Sequence, residues 1–217
     1  MKILSINVGL PKEVKWKGQT VITGIFKSPA KGVLKVDKIN IFGDKQADLK
    51  NHGGINKAIY LYPFEHYQYW KETLNVNDLP FGAFGENLTT LGILESEINI
   101  GDYLKIGTAE FAAVQPRLPC YKLGIRFNDA AMVAKFYESK RFGIYLKVTK
   151  AGKISPGDEI EIISRDPGNI KVAEIINAYV DRYVTEDFLS AASKLKVLPR
   201  WWKEEFKELY EKLIENR

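Results

Sequence analysis

Cysteine is almost missing from this chain: Cys120 is the only one in 217 residues. A single thiol excludes a disulfide framework within the chain, and it excludes a four-thiolate zinc or iron–sulfur site. Histidine is nearly as scarce, with His52 and His66 alone. There is no HExxH-type zinc motif, no Ser–His–Asp spacing and no dinucleotide fingerprint. The opening apolar run is too short for a signal peptide, and no later run approaches the length that spans a membrane. The expectation is therefore a soluble cytoplasmic protein with no membrane partner. Excess charge is modest at +5. Beyond residue 163 ten basic and ten acidic residues cancel, so the excess lies in residues 1–163, with 22 against 17. That balance suits an anionic ligand such as a phosphate and is too mild for a nucleic-acid partner.

What the chain does contain is a series of short β runs up to about residue 163. Segments 2–7, 20–26, 32–40, 58–62, 86–90, 102–106, 110–115 and 141–148 are rich in β-branched or apolar residues and bounded by turn residues. A helical stretch over 64–72 carries Tyr67 and Trp70, and Asn128 or Asp129 is placed to cap a helix through Ser139. This pattern predicts a mainly β fold with peripheral helices, its core barrel-like or a sandwich. After a turn-rich hinge at 164–168 the composition changes to three helices, the second capped by Thr185 and the third opened by Pro199. Trp202, Phe206, Leu209, Tyr210 and Leu213 share one face of the third. Two domains are expected, 1–163 and a helical extension over 164–217 that packs on the first or on a second copy.

The chemistry concentrates around Cys120. Residues 115–123 read QPRLPCYKL and follow an apolar strand, so the thiol is delivered at a strand end. Pro116 and Pro119 hold that loop extended, because proline fixes φ and cannot donate to a ladder. Arg117 and Lys122 flank the thiol, and neighbouring cations favour the thiolate, which is both nucleophile and metal ligand. Burial as a small apolar side chain is the competing reading. Three weaker constellations accompany it. Lys27, Ser28 and Lys31 follow a strand and suit an anion, or make a polar turn. His52-Gly53-Gly54 through Lys57 brings donors to a glycine turn where backbone approaches closely. Glu86 and Asn87 sit on a glycine turn before a strand, either orienting a ligand or forming the turn.

In this order, the pieces Lys27-Ser28, His52-Gly53-Gly54 to Lys57-Ala58, Gly85-Glu86-Asn87-Leu88, Ile100-Gly101-Asp102 and QPRLPCYK resemble the MOSC family, named for the C-terminal domain of molybdenum cofactor sulfurases. The tail resembles the three-helix extension of the bacterial YiiM-like branch. The resemblance implies a β-barrel-like core and a molybdenum–pyranopterin cofactor, with Cys120 as thiolate ligand to the metal. Lys27, Ser28, His52, Lys57, Arg117 and Lys122 would bind its phosphate and pterin, and Glu86 and Asn87 would line the pocket. Pyridoxal phosphate is not expected. The implied activity is reduction of N-hydroxylated substrates, such as N-hydroxylaminopurines, to amines. Electrons would come from a separate flavin or haem protein, and the tail is a candidate homodimer surface. A persulfide transferase working through Cys120, and a non-catalytic interaction module with Cys120 in the core, are the alternatives.

Overall fold

The computed structural model describes residues 1–47 and 53–215. In chain order its strands are β1 (Lys2–Val8), β2 (Lys12–Trp16), β3 (Gln19–Thr23), β4 (Ser28–Ala30), β5 (Leu34–Val36), β6 (Ile59–Pro63), β7 (Leu88–Leu91), β8 (Tyr103–Ile106), β9 (Ala109–Pro116), β10 (Ile144–Lys150), β11 (Gly152–Ile154) and β12 (Ile160–Ser164). The helices are α1 (Glu65–Leu74), α2 (Tyr121–Phe127), α3 (Met132–Ser139), α4 (Val172–Val180), α5 (Glu186–Lys194) and α6 (Arg200–Glu215). Eight strands form one mixed sheet in the order β12-β8-β9-β10-β6-β7-β1-β4, and β11-β5 and β2-β3 form small pairs beside it.

The strand order does not close into a barrel, so the barrel-like part of the expectation is not confirmed. β1 pairs with β7 over Lys2–Ile6 and with the three-residue β4 over Ile6–Val8, the two overlapping only at Ile6. Its first residues reach the opposite end of the sheet through a bridge from Lys2 to Glu159 and the bonds Ile3 N–H to Asp158 O, Gly157 N–H to Ile3 O and Ile160 N–H to Met1 O, each 2.9 Å. Closure needs a staggered ladder between the end strands, and this short contact does not supply it. With six helices the architecture is mixed α+β.

Local chemistry explains where elements start and stop. The expected strand over 32–40 shrinks to β5 because Asp37 Oδ1 accepts from the Ile39 and Asn40 amides at 2.8 Å, which turns the chain. Between β2 and β3 the turn uses positive φ at both Lys17 and Gly18, the geometry that matches strand twist. Asn128 does not open the next helix; it adopts φ 50° and closes α2, while Asp129 Oδ1 accepts from the Ala131 amide before α3. Thr185 does cap α5, accepting from the Phe188 amide at 3.2 Å.

The helical extension packs on the sheet of its own chain. Ile175, Ile176, Trp202 and Phe206 belong to the same contiguous core as Ile6, Leu61 and Phe111. Each such buried side chain contributes about 1.5–3 kcal/mol relative to exposure. One polar contact ties the tail to the strand that carries the site, since Trp202 Nε1 donates to Gln115 Oε1 at 3.0 Å in β9. No helix among the described residues is long and apolar enough to cross a membrane.

Candidate functional site

Strand β9 ends at Pro116, paired with Ile144 of β10. The chain then leaves the sheet, with the Arg117 amide bonded to Gly143 O at 3.3 Å. Three residues on, Cys120 adopts an extended conformation and caps α2, its carbonyl accepting from the Leu123 amide at 2.9 Å. Its thiol is half-buried and free, and it lines a recess of about 630 Å³ open to solvent. Cys120 is thus outside the buried core, against the reading of it as a packing residue.

The recess gathers residues that are far apart in sequence. Lys27, Lys57, Asn87, Arg117, Cys120 and Lys122 all line it. Ser28 does not; it is exposed on β4, paired with Val8. Glu86 does not line it either, because its carboxylate turns inward. Fully buried, it accepts from the Gly82 and Phe84 amides at 2.9 and 3.0 Å, from Thr89 Oγ1 at 2.9 Å and from the Tyr67 hydroxyl. Burial pushes the Glu86 pKa up while these donors oppose it. Its work is to brace the turn that presents Asn87. His52 lies outside the described residues.

Arg117 is the unusual member. Only 6% exposed, it lies between the rings of Tyr60 and Phe136, 5.2 and 5.8 Å from their centroids. Cation–π contact supports the charge, yet Nη1 is buried with no hydrogen-bond partner. Burial works against its charge, yet its pKa lies above the ordinary value, so the charge is retained. An orphaned donor on a buried cation costs several kcal/mol unless a ligand satisfies it, about 1–3 for a neutral group and more for a charged one.

Lys27 differs. It forms an ion pair with Asp44, both side chains being nearly buried. Burial lowers its pKa and Asp44 pulls it back up only in part. Asp44 also accepts from the Gly9 amide and from Asn87 Nδ2, each at 2.9 Å, while Asn87 Oδ1 accepts from the Tyr60 amide at 3.0 Å. The recess therefore has a neutralised wall at Lys27–Asp44–Asn87 and a cationic wall around Arg117. Gly85 permits this closeness, because a Cβ there, at φ 80°, would sit 2.8 Å from Ile25.

Asp44, Lys45, Tyr60 and Tyr145 also line the recess and were not expected there. Tyr60 and Tyr145 face each other across the β6–β10 ladder, a register that sequence alone does not reveal. Burial raises both phenol pKa values, so both keep their protons at neutral pH. Asp44 follows a turn and carries no sequence signal.

The MOSC domain family model matches residues 48–161. The uncharacterized protein YflK of Bacillus subtilis (strain 168) is 38% identical over 216 residues, 98% of this chain and 96% of that protein. A crystal structure of YiiM from Geobacillus stearothermophilus superposes with a TM-score of 0.79 at 31% identity, over 96% of this chain and 98% of that one. A protein of Gibberella moniliformis (strain M3125 / FGSC 7600) named reductase is 29% identical over 196 residues, 89% of this chain but 35% of that protein.

Proposed function

This chain belongs to the MOSC domain family, close to its YiiM-like members, and we propose that it binds molybdenum in a pyranopterin cofactor and reduces N-hydroxylated compounds to amines. The observation that carries this reading is the pairing, on one recess, of a half-buried thiol with a buried guanidinium whose Nη1 is unsatisfied. The donor set fits such a cofactor. In this reading the protein supplies one thiolate, from Cys120, to a metal that brings its other ligands with the pterin. The soft Cys120 sulfur suits that role, and the cationic wall suits a phosphate. The reductase name borne by one relative supports the reaction class.

In this reading residues 1–163 form the cofactor-binding unit and 164–217 its extension. Arg117 Nη1 takes a phosphate oxygen, and Lys57 and Lys122 add charge beside it. The Tyr60 and Phe136 rings keep water off the guanidinium, which strengthens that contact. Asn87, held by Asp44 and the Tyr60 amide, orients the ligand against the neutralised wall. Tyr145 Oη keeps its proton and presents a donor to whatever occupies the recess. The bound cofactor supplies two-electron chemistry at the metal. Overall the N–O bond of R–NHOH breaks, two electrons and two protons enter, and R–NH₂ and water leave. Electrons come from a separate flavin or haem protein, since one cysteine cannot hold a cluster.

The test is elemental analysis of protein expressed with molybdate in a host that makes the pterin cofactor, beside a Cys120→Ala variant. Near-stoichiometric molybdenum in the wild type, lost from a folded variant, is the expected result. Wild-type protein without metal or pterin would sink the reductase reading. A cyanide-labile sulfur on Cys120 would then identify a persulfide carrier.

A further inference from the structure

Residues 1–45 hold nine lysines against three carboxylates, so this fifth of the chain carries more positive charge than the whole molecule's +5. Part of it forms a small lobe. Strand β5 pairs only with β11, and their register sets Lys35 directly opposite Lys153, both exposed. Like charges facing across a ladder destabilise it. The following loop folds back over β5 through the Val36–Ile41 bridge and the Phe42 amide bonded to Lys35 O at 2.8 Å. That fold leaves Phe42 76% exposed and Val33 65% exposed, with Ile39 nearby in the loop. Lys31, Lys38 and Lys45 are exposed on the same lobe.

None of these five lysines has an ion pair among the described residues. Some cations elsewhere are matched, for example Lys135 with Asp129, Lys140 with Asp181 and Arg182 with Glu205, so what sets the lobe apart is the facing Lys35–Lys153 pair beside exposed apolar side chains. Folding gives no reason to keep a self-repelling lysine pair beside an exposed phenylalanine. An interface does, because a small apolar centre inside a charged rim is the anatomy of transient docking surfaces. The lobe also adjoins the recess, since the loop runs from Phe42 straight into Asp44 and Lys45, which line it.

We infer that this β5–β11 lobe is the docking surface for the electron donor, a small redox protein with an acidic face. The inference rests on the reductase reading, which requires such a donor. Charge complementarity selects the partner, steering an acidic protein onto the lobe and so to the recess mouth. Nucleic acid is the poorer match: the lobe has no arginine, the side chain suited to bidentate phosphate contact, and Val33 and Ile39 offer nothing to a phosphate backbone. A reduced flavin gives up two electrons and a reduced haem one, so one flavin encounter or two haem encounters supply the two electrons that end, with two protons, in the N–O cleavage written above.

The experiment uses cofactor-loaded protein and N-hydroxylaminopurine, with amine formation as the readout. Three reductants are compared, each held reduced electrochemically: an acidic flavodoxin, an acidic single-haem cytochrome, and methyl viologen, which needs no docking surface. At least one protein donor should drive turnover, with kcat/KM falling about tenfold in Lys38→Glu/Lys153→Glu and falling in wild type as salt is raised. Phe42→Ser should impair the same donor. Methyl viologen should drive all variants within about threefold of wild type, as expected where no charged docking step intervenes. The inference is overturned if the variants leave the protein-donor rates unchanged, or if neither protein donor works while methyl viologen does. It is also overturned if wild type binds a labelled DNA duplex and the charge reversal abolishes that binding. Failure of methyl viologen to drive wild type defeats the reductase reading itself, and the docking inference falls with it.

Discussion

The recess face and the helical extension handle polar groups in opposite ways. In the extension several cations meet carboxylates, as Arg182 meets Glu205 and Arg200 meets Glu204. The buried indole N–H of Trp202 is likewise satisfied by Gln115. On the recess face, a buried guanidinium nitrogen lacks a partner and two lysines oppose each other across a strand pair. Stability alone would remove both features, and the cofactor and docking proposals give each of them a ligand or partner to meet. The extension holds the fold, and through Gln115 it holds the strand from which Cys120 is delivered.

The largest effect that would sharpen this contrast is on the recess side. Cys120→Ala should lower reductase turnover on the order of a hundredfold or more by removing a group that acts as a unit with the cofactor. Because the thiol is outside the core, the thermal unfolding midpoint of the cofactor-free protein should stay where it is. A coupled loss of both would break the division. On the tail side, Trp202→Ala should cost about 3–5 kcal/mol, read as a lower denaturant midpoint at unchanged slope. It deletes a fully buried indole and strands the Gln115 carbonyl.

Arg117→Met tests the recess from the other direction. Replacing a buried charge by an apolar side chain of similar length should leave stability within about 1 kcal/mol of wild type, or raise it. Molybdenum and pterin retention should nonetheless fall, measured by elemental analysis and pterin fluorescence. A destabilised protein with intact cofactor would reassign Arg117 to the fold. The smallest effect is expected from Lys153→Glu alone. Turning a like-charge pair into an opposite one across β5–β11 should stabilise the protein by about 0.2–1 kcal/mol. A gain in thermal midpoint accompanied by a slower acidic donor would show stability and docking pulling apart at one residue.

Much of this was readable in the sequence, for local reasons. Period-2 apolar runs bounded by turn residues located most strands, and the cap at Thr185 with the apolar stripe from Trp202 located the tail helices. The loop carrying Cys120 was legible because proline chemistry and flanking cations are written in consecutive residues. Other features depend on pairing across distance. Whether the sheet closes depends on which strands occupy both edges of β1, a matter of long-range register. Glu86 and Asn87 are neighbours, yet one turns into the core and the other faces the recess, because adjacent strand-entry residues point to opposite sides. Tyr60 and Tyr145 meet only through the β6–β10 register, and Asp44 finds Lys27 only when its loop folds back. By itself the sequence determined the residue chemistry and the local elements, since these follow from spacing and side-chain type. The tertiary structure alone decided that Arg117 is buried with a nitrogen to spare, and that Lys27 is already spoken for. Burial and hydrogen-bond satisfaction are set by every segment that packs around a group, and no stretch of sequence contains them all.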